Sequence, residues 1–361
     1  MSQTAPPKIL ALDLGFLGDS VHLVPALWEL KKHFPASEIH TLSAPVGAEL
    51  LRLAPCVDHP WAFPLGVPSP PWWSHWDIIR ALRRERFGLL FNFSGADRSV
   101  FLTALIGAKS SVAYTGSRIH FWNNWLVPNW VPRCATDLPV YEQRRQFLAA
   151  SGVLGNHPSA NSAETPAGRL PPPRWDLRIP EAAKARAESL VPPDAIHLSI
   201  NASTPLKEWP LSHWCQLAKQ LLASDPVLRL VATASTNARE QERLRTLAAT
   251  VSSERLLALP PGLPIAELAA VLRRCRLHIG PDSGVLHLAM ALGVPTLALF
   301  REYAGTQEWL PRGPAHRHLL VPCPCANAKN PPCAPKNEAQ CLAQITPDQV
   351  ASLIRDPAPA K

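Results

Sequence analysis

Residues His278–Phe300, HIGPDSGVLHLAMALGVPTLALF, decide the reading of this chain. Leu277–Ile279 ends a short buried strand, and Pro281-Asp282-Ser283-Gly284 is a turn. Val285–Leu292 carries apolar residues at helical spacing, Gly293 stops it, and Val294–Phe300 is a second apolar run. The unit is therefore strand, turn, helix, strand. The turn aims backbone N–H groups at a helix N-terminus, where an anion such as a phosphate can be held. Asp282 and Ser283 also fit a plain helix cap.

Working outward, the chain alternates strand and helix on both sides of a break. The 361 residues suit two domains. Lys8–Leu14 reads as a strand, Gly15–Asp19 as a glycine-bearing turn, Ser20–Phe34 as a helix, Ile39–Leu42 as a strand and Val46–Leu53 as a helix. This opening βαβ unit implies a parallel sheet covered by helices. Its turn is not G-x-G-x-x-G, so the dinucleotide fingerprint is missing. Trp61–Trp76, with Pro64, Pro68, Pro70 and Pro71 among its tryptophans, reads as a loop. Asp77–Arg86 is a basic helix, Leu89–Phe93 a strand, Arg98–Ile106 a helix, and Leu138–Ser151 the helix that closes the first domain. The Pro-, Ala- and Ser-rich stretch that follows is a linker. Alternation then resumes: helix Pro180–Leu190, strand Ala195–Ile200, helix His213–Ser224, strand Val227–Thr233, helix Ala238–Ala249, strand Leu256–Leu259 and helix Ile265–Arg274. The expected domains are 1–156, a linker 157–178, 179–345, and a terminal helix and tail 346–361 with the first domain as a candidate packing partner.

Composition narrows the class. Hydrophobic residues make up 47% and charged residues 18%, which suits a folded chain. No apolar run reaches the length of about 18 residues that a membrane span needs. The apolar run after MSQTAPPK lacks a cationic segment before it and reads as a strand, so a cytoplasmic location is the default. The net charge of +8 favours acidic partners such as nucleotides, phosphorylated sugars or an anionic lipid surface. Without a dense Lys/Arg block, nucleic acid is not an expected partner. Trp61, Trp72, Trp73, Trp76, Trp122, Trp125 and Trp130 read either as core and loop packing or as an apolar, basic-rimmed surface for a lipid-linked acceptor. Cys56, Cys134, Cys215 and Cys275 are scattered and read as buried free thiols, whereas Cys323, Cys325, Cys333 and Cys341 crowd near the end and could bind zinc or pair as disulfides; they lack paired C-x2-C knuckles, so zinc is the minor reading.

Three turns stand at the carboxyl ends of predicted strands, where such sheets bind ligands. The first supplies Asp19, either a helix cap or a general base that takes a proton from a sugar hydroxyl. The second, Asn201–Trp209 (NASTPLKEW), offers Asn201, Ser203, Thr204 and Lys207, either a capped loop with a solvated Lys or a cradle for a diphosphate. The third is the Asp282–Gly284 turn, with His287 one helical turn beyond it.

The segments K-I-L-x-x-x-x-x-x-L-G-D, S-T-P-L-K-E-W-P and G-P-D-S-G-x-x-H-L-A-x-A-L-G-V-P-T-L-A-L-F, with FSGADRS at Phe93–Ser99 and C-L-x-x-I-T-P at Cys341–Pro347, resemble glycosyltransferase family 9. The likeness covers nearly the whole chain, and Asp282–Ala289 is its most specific part. It implies an α/β GT-B fold of two Rossmann-like domains facing across a cleft, the first binding acceptor and the second a nucleotide sugar. It implies inverting, metal-independent transfer from a nucleotide diphosphate sugar, with ADP-heptose the expected donor and no cofactor. Asp19 falls on the family's catalytic base and Lys207 on its phosphate-binding lysine. Ser203 and Thr204 fall near its hydroxyl pair, and Asp282, Ser283, Gly284 and His287 on its donor motif. Glu240 falls near a nucleotide-binding glutamate. Arg83, Arg84, Arg98 and Arg118 are candidates for an anionic glycolipid acceptor of the cell envelope, with peripheral contact at the inner membrane. Asp13, Gly15 and Phe16 depart from the family pattern, so contacts near that turn are expected to differ. A non-catalytic relative that binds a nucleotide sugar, or a transferase using another sugar, is the alternative. A nicotinamide-dependent oxidoreductase fits the alternation but lacks the glycine fingerprint.

Overall fold

The structure, a computed structural model, describes residues 6–65, 75–115, 123–133, 138–153, 172–324, 333 and 338–355. The chain divides into two compact units, Met1–Arg178 and Ile179–Lys361.

The first unit runs β1 (Ile9–Asp13), α1 (Leu17–His33), β2 (Ile39–Ser43), α2 (Pro45–Leu51), β3 (His59–Ala62), α3 (Trp76–Arg84), β4 (Leu89–Asn92), α4 (Asp97–Ile106), β5 (Ser110–Tyr114), α5 (Asn123–Leu126), β6 (Asn129–Val131) and α6 (Val140–Ala150). Its strands are parallel, in the order β3-β2-β1-β4-β5-β6. β1 is buried throughout because both faces are covered. Ile9 and Ala11 pack toward Leu23, Leu27 and Phe147, while Leu10 and Leu12 pack toward Ile79, Leu82 and Leu102. Trp175 and Leu177, which the sequence reading put in the linker, pack against the first of these clusters.

The second unit runs α7 (Glu181–Leu190), β7 (Ala195–Leu198), α8 (Leu211–Ser224), β8 (Leu230–Ala232), α9 (Ala238–Val251), β9 (Leu256–Ala258), α10 (Ile265–Arg273), β10 (Cys275–Pro281), α11 (Gly284–Ala291), β11 (Thr296–Arg301), α12 (Thr306–Trp309), β12 (His316–Val321) and α13 (Pro347–Arg355). Its parallel sheet has the order β12-β11-β10-β7-β8-β9. Counted within the unit, that is again third, second, first, fourth, fifth, sixth. Both units therefore carry the Rossmann strand order, which reverses direction beside the first strand. The fold class read from the sequence, two Rossmann-like α/β domains of the GT-B class, is the one found.

Several local expectations change. α13 is part of the second unit: Val350 and Ala351 lie in its core over α8, and Arg317 Nη1 donates to the Leu353 carbonyl at 2.6 Å. The sequence reading had set this helix apart, with the first domain as its candidate partner. β3, β5, β6 and β12 were not read as strands. Three of the four are sheet edges, which need not be apolar on both faces, and β3 carries Pro60. Trp61, read as loop, sits in β3, and Trp76 opens α3. Among the described residues no helix is long and apolar enough to cross a membrane.

Candidate functional site

In each unit the strand order reverses between two neighbours, β1 and β4 in the first, β7 and β10 in the second. Crevices outside the carboxyl ends of such strands are where open α/β sheets bind ligands. The residues singled out from sequence stand at these ends.

In the first unit α1 begins at Leu17, three residues earlier than its apolar spacing predicts. Asp19 is therefore inside the first turn and not its cap. Its Oδ2 accepts the Phe16 N–H at 2.9 Å, closing an otherwise orphan backbone donor. Arg144, from α6, approaches Oδ1 at 3.3 Å and donates to the Asp19 carbonyl. The same guanidinium lies 2.5 Å from Asp13 Oδ2, at the end of β1. Asp13 Oδ1 accepts the Gly15 N–H at 2.9 Å. Burial pushes the Asp13 carboxyl above its ordinary range; Arg144 opposes this, and the charge of Asp19 adds to it. Gly15 has no room for a side chain, because a Cβ there would stand 2.4 Å from Asp19 Cγ. At the end of β4, Asn92 Oδ1 accepts the N–H groups of Ser94 and Gly95 at 3.0 and 3.2 Å, folding that loop back on the strand.

The arginine candidates separate. Arg83 Nη1 donates to the Leu105 carbonyl at 2.6 Å, tying α3 to α4. Arg84 is exposed on α3. Arg98, on the first turn of α4, joins Phe63, His75, Ile79, Phe101 and Leu105 around a cavity of about 540 Å³. Arg118 lies outside the described residues, as do Trp72, Trp73 and Trp122. Of the other tryptophans, Trp125 is 86% exposed, Trp61 donates to His40 Nδ1 at 3.1 Å, and Trp130 donates to the Val127 carbonyl at 2.9 Å.

In the second unit the loop after β7 is held from beneath. Glu208 is buried; both its oxygens take Arg239 of α9, at 2.8 and 2.7 Å, and Oε1 also accepts the Ala202 N–H at 2.9 Å. Arg243 adds bonds to Asn201 Oδ1 and the Ile200 carbonyl at 3.0 and 3.1 Å. Trp209 is fully buried and donates to the Ile345 carbonyl at 2.9 Å. The loop is thus anchored at both ends, with Ser203 exposed at its tip and Thr204 and Lys207 half-buried. Lys207 is not a solvated lysine: its Nζ meets Asp282 Oδ2 at 2.6 Å.

Asp282 gathers the rest. Tyr303, beyond β11, donates its hydroxyl to the same Oδ2 at 2.7 Å, and His287 Nε2 lies 3.5 Å from Oδ1. Burial alone would raise the Asp282 carboxyl. The hydrogen bond from His287 and the charge of Lys207 outweigh it and hold the group well below the usual carboxylate range. Burial, reinforced by Asp282, pushes the Tyr303 hydroxyl well above its ordinary value, so it stays a donor. Ser283 caps α11 by accepting the Leu286 N–H at 3.4 Å, and Gly284, the first residue of the helix, follows Asp282 by two positions. Glu240, in the first turn of α9, accepts the Ser235 N–H at 3.0 Å in the neighbouring loop. An ammonium, a helix N-terminus and hydroxyls on one rim suit a diphosphate, while a buried carboxylate suits sugar hydroxyls.

Sequence reasoning missed Arg144, Tyr303 and the Glu208–Arg239–Arg243 support. Arg144, Tyr303, Arg239 and Arg243 are distant in sequence from the motifs they serve. Only the neighbouring motif residue Glu208 gave a signal.

Cys323, Cys333 and Cys341 are buried free thiols, and Cys325 lies outside the described residues. The group of metal-ligand types that converges among the described residues is instead Glu38, His40 and His59. It suits no cation. Trp61 N–H fills His40 Nδ1, so the ring proton sits on Nε2 facing Glu38, and the Lys8 ammonium lies 3.2 Å from Glu38 Oε2.

Comparison with known proteins identifies the family. The model of the family described as glycosyltransferase family 9 (heptosyltransferase) matches residues 75–338. Lipopolysaccharide heptosyltransferase 1 of Pseudomonas aeruginosa is 25% identical over 96% of this chain and 97% of its own. The lipopolysaccharide core heptosyltransferase OpsX of Haemophilus influenzae is 22% identical over 82% of this chain and 79% of its own. The structure of E. coli ADP-heptose lipopolysaccharide heptosyltransferase II superposes with a TM-score of 0.75 at 20% identity, covering 96% of this chain and 97% of that one. With a family match that spans most of its length, the chain belongs to glycosyltransferase family 9, the heptosyltransferases, and is a glycosyltransferase.

Proposed function

We propose that the protein transfers heptose from ADP-heptose to a lipopolysaccharide acceptor, with inversion at the anomeric carbon and without a metal. The relatives' names support the substrates: both curated relatives act on lipopolysaccharide, and the solved E. coli enzyme is an ADP-heptose transferase. The observation that carries the chemistry is the Lys207–Asp282–Tyr303 cluster beside the α11 N-terminus.

In this reading Asp19 accepts the proton of the acceptor hydroxyl as its oxygen bonds to the anomeric carbon. The bond from that carbon to the diphosphate breaks on the opposite face, which inverts the configuration. Charge grows on the departing ADP. Lys207, the hydroxyls of Ser203 and Thr204, and the N–H groups at Ser283–Gly284 stabilise it, in place of a metal ion. Donor binding exchanges partners: Lys207 turns from Asp282 to phosphate, and Asp282 takes sugar hydroxyls while Tyr303 and His287 keep it in place. Glu240 serves the nucleoside. Arg84, Arg98 and Arg118 meet the anionic acceptor, and Arg98 with its apolar cavity supports a lipid-bearing one. Arg83, engaged with Leu105, contributes mainly by holding α3. The basic α3 supports peripheral contact with the inner face of the membrane, and a cytoplasmic location follows from a soluble nucleotide donor.

The test is transfer from ADP-heptose to a heptose-free lipopolysaccharide in the presence of EDTA, with UDP-, GDP- and dTDP-sugars in parallel. Transfer from ADP-heptose alone, giving a product of anomeric configuration opposite to the donor's, is expected. Retention of configuration, loss with EDTA, or preference for another sugar nucleotide each overturns the corresponding part.

A further inference from the structure

Arg144 reaches the end of β1 from α6, 125 residues beyond Asp19. Its guanidinium donates to Asp19 Oδ1 and to the Asp19 carbonyl, and forms an ion pair with Asp13 Oδ2. A planar fork of donors can do this, whereas an ammonium is a point charge on a flexible stem. The side chains of Arg144 and Asp13 are 6% and 4% exposed, and that of Asp19 is 25% exposed. Stability does not require such a pair, since replacing buried ion pairs by packed neutral groups is often neutral or favourable. What the pair does achieve is a fixed seat for the one partly exposed carboxylate of the turn. Phe16 N–H holds Oδ2 and Arg144 holds Oδ1, so each oxygen retains a second acceptor direction for a hydroxyl proton. Gly15, lacking a side chain, leaves the space that the Asp19 carboxylate occupies.

We propose that Arg144 is the positioning residue for Asp19, and that Asp13 is the buried counter-charge that keeps Arg144 beneath it. The inference rests on the reading of Asp19 as the base. A cation drawn between two carboxylates orients the reactive one. Without Asp13, Arg144 would pair with Asp19 alone and compete with the acceptor for its lone pairs.

The test compares four variants with the parent protein, using ADP-heptose and a heptose-free lipopolysaccharide. Arg144→Lys keeps the charge and loses the fork. The double variant Asp13→Asn with Arg144→Gln keeps the packing and removes both buried charges, so folding does not depend on an unpaired ion. Both are expected to melt within a few degrees of the parent and to keep its KM for ADP-heptose. Their kcat is expected to fall about 10- to 100-fold, the usual scale for a misplaced reacting group. Methylguanidinium is expected to restore part of the rate to Arg144→Ala and none to Asp19→Asn. A folded Arg144→Lys or double variant with kcat within twofold of the parent overturns the proposal, as does a loss that falls on donor KM. Asp19→Asn separates the two readings. If it turns over normally, the base assignment itself is wrong; if it fails while the Arg144 variants do not, only the positioning role falls.

Discussion

The two units repeat one strand order and differ in the sign of the group each presents above a buried aspartate. At the end of β1 the cation is the buried partner: Arg144 is 6% exposed and Asp19, above it, is 25% exposed. At the end of β10 the anion is buried: Asp282 is 10% exposed and Lys207, above it, is 28% exposed. One crevice therefore offers solvent a carboxylate and the other an ammonium. Each outer group is kept in place by an opposite charge beneath it, and a third residue completes the seat, Asp13 in one and Tyr303 in the other. The same backbone scaffold thus presents a partly exposed carboxylate in one half and a partly exposed ammonium in the other, which the proposed reaction uses as proton acceptor and anion holder. Both strand ends bury an aspartate, Asp13 and Asp282; the first adds the buried Arg144, so the group above it is a carboxylate in one unit and an ammonium in the other.

That comparison breaks most sharply at the outer groups. Asp19→Ala removes a general base, and kcat is expected to fall about 10²- to 10⁴-fold while ADP affinity by calorimetry stays at the parent value. Lys207→Ala removes charge stabilisation at the leaving diphosphate, with an expected loss of about 10²- to 10³-fold in kcat/KM together with weaker ADP binding. If both variants lost ADP binding alike, the division of labour between the units would be wrong.

Much of this was legible in the sequence, for a physical reason. The turns that carry Asp19, Lys207 and Asp282 are local: strand, short turn and helix are continuous in the chain, so period and turn chemistry reveal them. The supports were not legible. Arg144 lies on α6, Arg239 and Arg243 on α9, and Tyr303 beyond β11, where an arginine or a tyrosine on a helix or loop looks like any other surface residue until the sheet order brings it under the site. The missed strands share that cause. β3, β6 and β12 are edges, whose pairing comes from one neighbour and not from their own apolar content. The start of α1 was misplaced because Leu17 and Gly18 carry no cap signal. The first turn is closed instead by Asp19 reaching back to Phe16.

A smaller effect tests the inner partner of the second crevice. Tyr303→Phe removes one hydrogen bond to a buried carboxylate, a change of about 1.5–3 kcal/mol. Since Lys207 leaves Asp282 for the diphosphate and only His287 remains, the expected result is a rise of about tenfold or more in the KM for ADP-heptose, with kcat changed little. A kcat loss as large as that of Lys207→Ala would instead make Tyr303 part of the leaving-group machinery.

The smallest expected effect is in the pH dependence of local stability, and here the two crevices should respond in opposite directions. Burial raises the Asp13 carboxyl above its unfolded value. Such a group favours folding while protonated, so its contribution is present at acidic pH and fades as pH rises through its folded pKa. Asp282 is held low by His287 and Lys207 against the effect of burial. Its contribution is present above the ordinary carboxylate pKa and disappears only as pH falls through the much lower folded value. Amide hydrogen exchange, corrected for its intrinsic pH dependence, reads the two segments separately in one experiment. Between pH 7 and pH 4, protection in β1 and α1 should gain relative to an Asp13→Asn variant. Protection in β10 and α11 should hold over the same range and be lower at every pH in Asp282→Asn. If both segments lost protection together on acidification, Asp13 and Asp282 would be titrating alike, and the opposite shifts of the two buried carboxyls would have no energetic consequence.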